Sequence, residues 1–316
     1  MTPRNAAGLL AATGASVAGG LALYSSLAAL RAERLVPRDG GFVEVDEARL
    51  HYVEAGRGPA IVMVHGLAGQ LRNFTYALTE LLAAEFRVIA LDRPGSGYSP
   101  LPPAATRTLR GQGALIGHFV EALGLDRPLL VGHSLGGALS LSLALDRPDL
   151  LRGLALIAPL TQAIAGVPRV FRPFHHPSAL KRRLIAHMLA VPLGTIGQGK
   201  ARRVIFSPDA VPEDYGTRGG GTLAVRPSAF YAASSEVCVG TGELVGMAAR
   251  YPDLAVPLGI LFGRGDRILS PALHGERTVA AVPGAELTLI DGGHMIPLTA
   301  PAAVADWIRR RHAITA

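Results

Sequence analysis

Two short runs near the start of the chain alternate apolar and polar residues: 42–46 (Phe-Val-Glu-Val-Asp) and 50–54 (Leu-His-Tyr-Val-Glu). A period of two is the signature of a half-exposed strand, and the pair predicts a hairpin. The pattern then changes. Residues 60–64, 88–91, 129–131, 154–157, 258–262 and 287–290 are short, continuously apolar runs. Strands of that kind belong to a parallel sheet covered on both faces. Helical patterns lie between them, at 74–84, 109–123, 136–145, 272–281 and 301–311. Alternation of this sort predicts an α/β layered domain with helices on both faces of a mostly parallel sheet.

The rhythm breaks once. After residue 157 no core strand is expected until about 258, so residues 160–249 read as a helical cap (lid) inserted over the sheet. The core is then 39–159 and 250–316. Arg218 and the three glycines after it are the expected hinge within the insertion.

Residues 6–30 form a separate element. They run for 25 positions without a charge. At about 1.5 Å per residue, a helix of that length crosses a hydrocarbon core of about 30 Å. Arg4 precedes the run; Arg31, Arg34 and Arg38 follow it. Residues 1–38 are therefore expected to be a single-pass N-terminal anchor. A cleaved signal segment ending near Ser26-Leu27-Ala28, with a secreted or periplasmic product, is one alternative; a buried soluble helix is another. The basic residues on the two sides do not assign an orientation.

Charge sharpens the view of the insertion. The chain carries 31 Lys+Arg and 24 Asp+Glu, a formal charge of +7. Eight of the basic residues (Arg169, Arg172, Lys181, Arg182, Arg183, Lys200, Arg202, Arg203) fall between 160 and 208, where no acid occurs. Outside that block 23 basic residues face 24 acidic ones, so the core is nearly neutral. Aromatic content is 5% and no nucleic-acid-binding module appears, so nucleic acid is not an expected partner. The single cysteine, Cys238, excludes an internal disulfide and reads as a small buried hydrophobe. The His175-His176 pair has no acid or cysteine near it and is not read as a metal site. Leu180, Leu184, Ile185, Met188 and Leu189 stand at helical spacing. They fit a cap helix packed on a cleft, or a basic amphipathic helix on an anionic membrane surface; recognition of an acidic substrate is a third reading of the basic cap. Arg169, Arg172, Met188 and Met295 are candidate substrate contacts.

The chemistry lies at strand ends. Gly132-His133-Ser134-Leu135-Gly136 follows an apolar strand and opens an Ala/Leu-rich helix. A strand–turn–helix of this kind holds Ser134 strained and exposed, as a nucleophile requires. A serine hydroxyl needs a base. His294 follows the strand at 287–290 on a glycine-opened loop, and Asp266 follows the strand at 258–262. A carboxylate behind the histidine orients the ring and stabilises its charged form. An oxyanion needs two backbone donors, and Leu135 and Leu67 are placed to supply them. His65 is a further candidate near the site, more in keeping with holding the Leu67 loop than with acting as a base.

These motifs, with Asp92-Arg93-Pro94-Gly95-Ser96-Gly97-Tyr98-Ser99, His65-Gly66 and Gly263-Arg264-Gly265-Asp266, give a sequence that resembles the α/β-hydrolase fold superfamily, close in pattern to its serine esterase/lipase-like branch. The resemblance covers about residues 40–312. It implies an eight-stranded sheet, a cap after the sixth strand, no cofactor, and a structural rather than catalytic Asp92. Serine at 134 disfavours the dehalogenase and epoxide hydrolase branches, whose nucleophile is a carboxylate. Leu67-Ala68 and Leu135 depart from the carbon–carbon hydrolases and prolyl peptidases. The expectation is hydrolysis of a carboxylic ester or thioester (EC 3.1.1.-) of apolar or lipid-like character. Cofactor-free perhydrolysis (haloperoxidase chemistry) or acyl transfer on the same three residues are alternatives. So is a non-catalytic, membrane-tethered binding protein.

Overall fold

The computed structural model describes residues 3–46, 48–101, 107–239 and 242–315; for residues 3, 4 and 6–11 the backbone alone is described. Eight strands form one sheet: β1 (Gly41–Val45), β2 (Ala48–Ala55), β3 (Ala60–Val64), β4 (Arg87–Leu91), β5 (Leu129–His133), β6 (Gly153–Ile157), β7 (Leu258–Gly263) and β8 (Glu286–Ile290). Their order is β1-β2-β4-β3-β5-β6-β7-β8. β1 and β2 pair antiparallel with each other, and β2 pairs antiparallel with β4. Every other pairing is parallel. Beyond the N-terminal helix, the α-helices among the described residues are α2 (Arg72–Thr75), α3 (Leu78–Leu82), α4 (Leu109–Ala122), α5 (Leu135–Asp146), α6 (Ala179–Ile185), α7 (Val191–Phe206), α8 (Pro227–Val239), α9 (Gly242–Ala249), α10 (Arg277–Ala281) and, at the C-terminal end, α11 (Ile296–Thr299) with α12 (Pro301–Ile314) beside it.

The apolar runs divide their side chains between two cores with a strict period of two. Val62, Val64, Ile89, Leu91, Leu154 and Leu156 face one side, against α4 and α5. Ile61, Met63, Val88, Ala90, Ala155 and Ile157 face the other, against α2, α3 and α12. Burial on both faces is why these strands carry no polar positions. The expected helix at 74–84 is instead two pieces, α2 and α3. The break falls at Ala77, whose φ of −152° lies outside the helical range; beside it Arg218 Nη2 donates to the Tyr76 carbonyl at 2.6 Å. The expected helix at 272–281 begins as a π-turn, Ala272–Glu276, and continues as α10.

The chain between β6 and β7 carries α6 to α9. From Ala179 to Phe206 it is helical throughout, with a π-turn at Ala186–Ala190 joining α6 to α7. The expected hinge at 218–221 is docked instead. Gly219 accepts from Gln70 Nε2 at 3.0 Å. Gly220 is left-handed (φ 70°), and a Cβ there would lie 1.9 Å from the same amide nitrogen.

The N-terminal helix, α1 (Pro3–Leu35), is about 50 Å long at 1.5 Å per residue. Its segment Ala12–Leu35 is long and apolar enough to cross a membrane. Its C-terminal end packs on the β6–β7 segment. Ala32 and Val36 are buried against Leu223, and Arg226 Nη1 bonds Glu33 at 3.1 Å.

Candidate active site

The turn between β5 and α5 holds Ser134 at φ 55° and ψ −120°, a left-handed backbone that a non-glycine residue adopts only under constraint. The constraints are tight. Ser134 N donates to Ile157 O at 3.0 Å, while Gly137 N and Leu160 N both donate to Ser134 O at 2.9 Å. A Cβ on Gly136 would meet the Val64 carbonyl at 2.1 Å, and one on Gly132 would meet Ser140 Oγ at 2.6 Å. The two glycines therefore let the strand, turn and helix close on one another with the serine at the apex.

Asp266 and His294 meet across 28 residues of sequence. His294 Nδ1 lies 2.7 Å from Asp266 Oδ2. The other carboxylate oxygen, Oδ1, accepts from Ile268 N at 2.8 Å and Leu269 N at 3.0 Å. Both side chains are buried. Burial alone raises the Asp266 pKa; the neighbouring His294, its hydrogen bond and the two backbone donors outweigh it, and the carboxyl ends below its ordinary value. An ionised acceptor is therefore fixed on Nδ1, which leaves Nε2 facing away from it. Ser134 and His294 line one chamber of about 600 Å³. Among the described residues, Ser134 Oγ makes no hydrogen bond. Such a bond is often long in a free enzyme and tightens around substrate.

Leu67 and Leu135 flank the serine. Leu135 opens α5, so its N–H is one of the unpaired donors of a helix start. Leu67 shares the chamber with Ser134, and a Cβ on neighbouring Gly66 would lie 2.8 Å from Ser134 Cβ. Only a glycine lets this loop approach so closely.

Three supporting residues were not singled out by the sequence. Arg93 is fully buried: Nε donates to His65 O at 2.9 Å, Nη2 to Gly66 O at 2.9 Å, and Nη1 to Gln112 at 2.9 Å. The same guanidinium is ion-paired to Glu236 of α8, 143 residues away. Asp209 Oδ2, from the β6–β7 segment, accepts from Gly293 N at 2.9 Å and Thr299 Oγ1 at 2.8 Å, bracing the His294 loop. His133 donates from Nε2 to the His294 carbonyl at 3.0 Å, and the two rings lie 5.0 Å apart. Burial, with His294 close by, depresses the His133 pKa to about 3. It is a neutral ring at any working pH. Its position inside the Gly-x-Ser-x-Gly motif was the one available signal.

Several expected contacts are placed elsewhere. His65 is fully buried; its Nε2 accepts from Arg93 N at 3.0 Å and its Nδ1 pairs with Gly66 O at 2.9 Å, so it holds the loop and meets no cavity. Arg169 and Arg172 are exposed. They lie in a 3₁₀ turn, Arg169–Phe174, whose three-residue period stacks them on one face and sends Phe171 and Phe174 to the chamber. Met188 lies in the π-turn and does not line this chamber; Ile185 and Leu189 do. Leu180 and Leu184 face solvent rather than the cleft. Met295 lines the large chamber. Cys238 is half-buried and lines a second, smaller chamber. Asp92 is buried away from both chambers, paired with His51 at 2.7 Å and accepting from Leu71 N and Tyr98 N at 2.8 Å.

Comparison with known proteins agrees with this architecture. The family model for the alpha/beta hydrolase fold matches residues 59–301. A dihydrolipoyllysine-residue acetyltransferase component of an acetoin cleaving system from Cupriavidus necator is 36% identical over 120 residues, 38% of this chain and 32% of that protein. Haloalkane dehalogenase 2 of Mycobacterium bovis is 35% identical over 124 residues, 39% of this chain and 43% of that one. The chain thus spans under half the length of these two relatives. The crystal structure of a membrane phospholipase A is 22% identical, with a TM-score of 0.69 over 99% of both chains. With a family model covering most of its length, the chain belongs to the alpha/beta hydrolase fold family.

Proposed function

We propose that the chain is a serine hydrolase that cleaves carboxylic esters, with thioesters as the related class. The observation that carries this reading is a serine held at positive φ on a strand–helix turn, sharing a chamber with a histidine whose Nδ1 is bonded to a buried carboxylate. His294 takes the Ser134 proton through Nε2 as Oγ attacks the ester carbonyl. Leu67 and Leu135 N–H groups hold the oxyanion. His294 then protonates the departing alcohol, and water activated by the same imidazole releases the acid. Asp266 keeps the ring in the productive tautomer. Haloalkane dehalogenase 2 matches part of the chain, but position 134 is serine, which opens an ester rather than forming one by displacing halide. Turnover of p-nitrophenyl esters, lost in both Ser134→Ala and His294→Ala, supports the reading; undiminished turnover in either variant refutes it.

The second part of the proposal is a bilayer partner, with α1 retained as an anchor. Among the described residues, twelve of the sixteen exposed large hydrophobic residues lie on just two stretches, α1 and 180–204. These stretches pack on each other. Arg169, Arg172, Lys181, Arg183, Lys200 and Arg203 are exposed around the second stretch. Among the described residues, none of them has an ion-pair partner. Apolar side chains ringed by unpaired cations fit an anionic lipid surface. The fold likeness to a membrane phospholipase A extends over α1. For an ester dissolved in anionic vesicles, Leu180→Asp combined with Ile196→Asp lowers the rate while turnover of a water-soluble ester holds. Equal rates on vesicles would remove the docking surface from the account.

A further inference from the structure

Two chambers meet at Ser134, and the site's own residues sort them. The larger, about 600 Å³, is lined by His294, Met295, Phe174, Leu193 and Phe230. The smaller, about 290 Å³, is lined by Leu135, Leu160, Val237, Cys238 and Leu244, with Glu236 in its wall. Ser134, Leu67 and Phe171 line both. His294 borders only the larger and Leu135 only the smaller.

We infer that the larger chamber takes the alcohol part of the ester and the smaller one the acyl part. The inference rests on the serine-hydrolase reading above. In the tetrahedral intermediate the former carbonyl carbon carries four groups: Ser134 Oγ, the oxyanion, the leaving oxygen and the acyl carbon. The oxyanion points at the Leu67 and Leu135 N–H groups. The leaving oxygen must come within hydrogen-bond reach of His294 Nε2 to receive its proton, so the alcohol extends into the chamber that His294 borders. The acyl carbon takes the one direction left, past Leu135 into the smaller chamber. Electrons and protons balance: the Oγ–H proton moves to His294 as the Oγ–C bond forms and the carbonyl pair moves onto oxygen. When that pair returns, the C–O bond to the alcohol breaks and the His294 proton leaves with it. Water repeats the sequence to free the acid.

The substrate class follows from the two volumes. The enzyme favours esters whose alcohol is larger than their acyl group. The alcohol is apolar, because Phe174, Leu193 and Phe230 surround it. Leu189 and Leu193 line this chamber and are also exposed on the outer face of the β6–β7 segment, so the alcohol side opens on the apolar surface assigned above to lipid.

Two ester series separate the chambers: ethyl esters of acids of rising length, and acetates of alcohols of rising length. Val237→Phe narrows the smaller chamber and shortens the preferred acid. Ala201→Phe narrows the larger and shortens the preferred alcohol. Each shift is about tenfold or more in kcat/KM at the long end of its series, since one methylene in an apolar pocket is worth about 10- to 200-fold. The enlarging variants Val237→Ala and Leu193→Ala shift the same two series in the opposite sense and guard against misfolding of a narrowed variant. The deacylation rate constant, measured after the alcohol has left, follows the Val237 substitutions. Crossed effects, with Val237 governing the alcohol series or Ala201 governing deacylation, overturn the assignment. An active wild type with crossed effects condemns this inference alone. A wild type inert on both series, with Ser134 unlabelled by a fluorophosphonate, condemns the hydrolase reading beneath it.

Discussion

Glu236→Ala tests how the site is held together. Arg93 has no exposed surface and Glu236 very little. The Arg93 side chain makes five hydrogen-bond contacts: to the carbonyls of His65 and Gly66, to Gln112, and two to Glu236. Removing Glu236 leaves a buried cation without its counter-charge and two of its contacts unmade. Breaking a buried pair on one side costs about 3–5 kcal/mol. With an unfolding entropy of about 2.1 cal/mol/K per residue, a chain of this length loses about 5–8 °C in Tm. The activity loss comes through the loop. The arginine that fixed the carbonyls of His65 and Gly66 is released, and the Leu67 N–H loses its aim. A fully lost oxyanion donor costs about 10²–10³ in kcat, so a fall of about tenfold to a hundredfold is expected, with a smaller change in KM. Scanning calorimetry and steady-state ester kinetics on Glu236→Ala and Glu236→Gln measure both, the amide falling less because it keeps an acceptor in place. Glu54→Ala is the control. Its pair with Arg87 is one-third exposed on both sides, where an ion pair is worth about 1 kcal/mol or less. A Tm loss in Glu236→Ala no larger than the control's, with kcat unchanged, refutes the coupling.

Three further outcomes follow from the geometry. Asp266→Asn keeps the shape but presents the wrong tautomer partner to His294 Nδ1; kcat falls by about 10⁴ in ester assays while near-UV circular dichroism is unaltered. Gly66→Ala places a methyl 2.8 Å from Ser134 Cβ and 3.3 Å from Oγ; overpacking of about 1–3 kcal/mol slows labelling by an active-site phosphonate about tenfold or more. Folded His133 refuses a proton until about pH 3, whereas the unfolded chain accepts it below about 6.5. The unfolded state therefore binds the extra proton throughout that window, and stability falls as pH falls from 6.5 toward 3. The contribution at pH 4 is about 3 kcal/mol, so Tm plotted against pH is shallower in His133→Asn than in the wild type; parallel curves would show that the buried ring is not the cause.

The sheet was legible because its chemistry is local. Strands buried on both faces are apolar along their buried length, and β3, β4, β5, β6 and β7 all appear as such runs; β8, at the sheet edge, is only partly buried and carries Glu286 and Thr288. The places of Ser134, Asp266 and His294 were legible for a related reason: each stands directly after a strand, where side chains project beyond the sheet. What failed was set by distant partners or by an altered helical period. Nothing near Arg93 in sequence points to Glu236, and nothing near Gly293 points to Asp209. The carbonyl at the break between α2 and α3 meets Arg218, 142 residues beyond Tyr76. Arg169 and Arg172 were read as substrate contacts from charge alone; the 3₁₀ turn puts them on the outer face, and Phe171 and Phe174 take the inner one. The basic block divides in the same way. Arg182 and Arg202 are drawn inward, against Tyr231 and Tyr215, while the other six cations remain outside.

The central claim is that Ser134 is the nucleophile and His294 its base. Peptide mapping by mass spectrometry after a short exposure to a fluorophosphonate tests it most directly. The account predicts one adduct per chain, on Ser134, with little or none formed in the same time by His294→Ala. An adduct on another residue, or equal labelling of the wild type and Ser134→Ala, contradicts it.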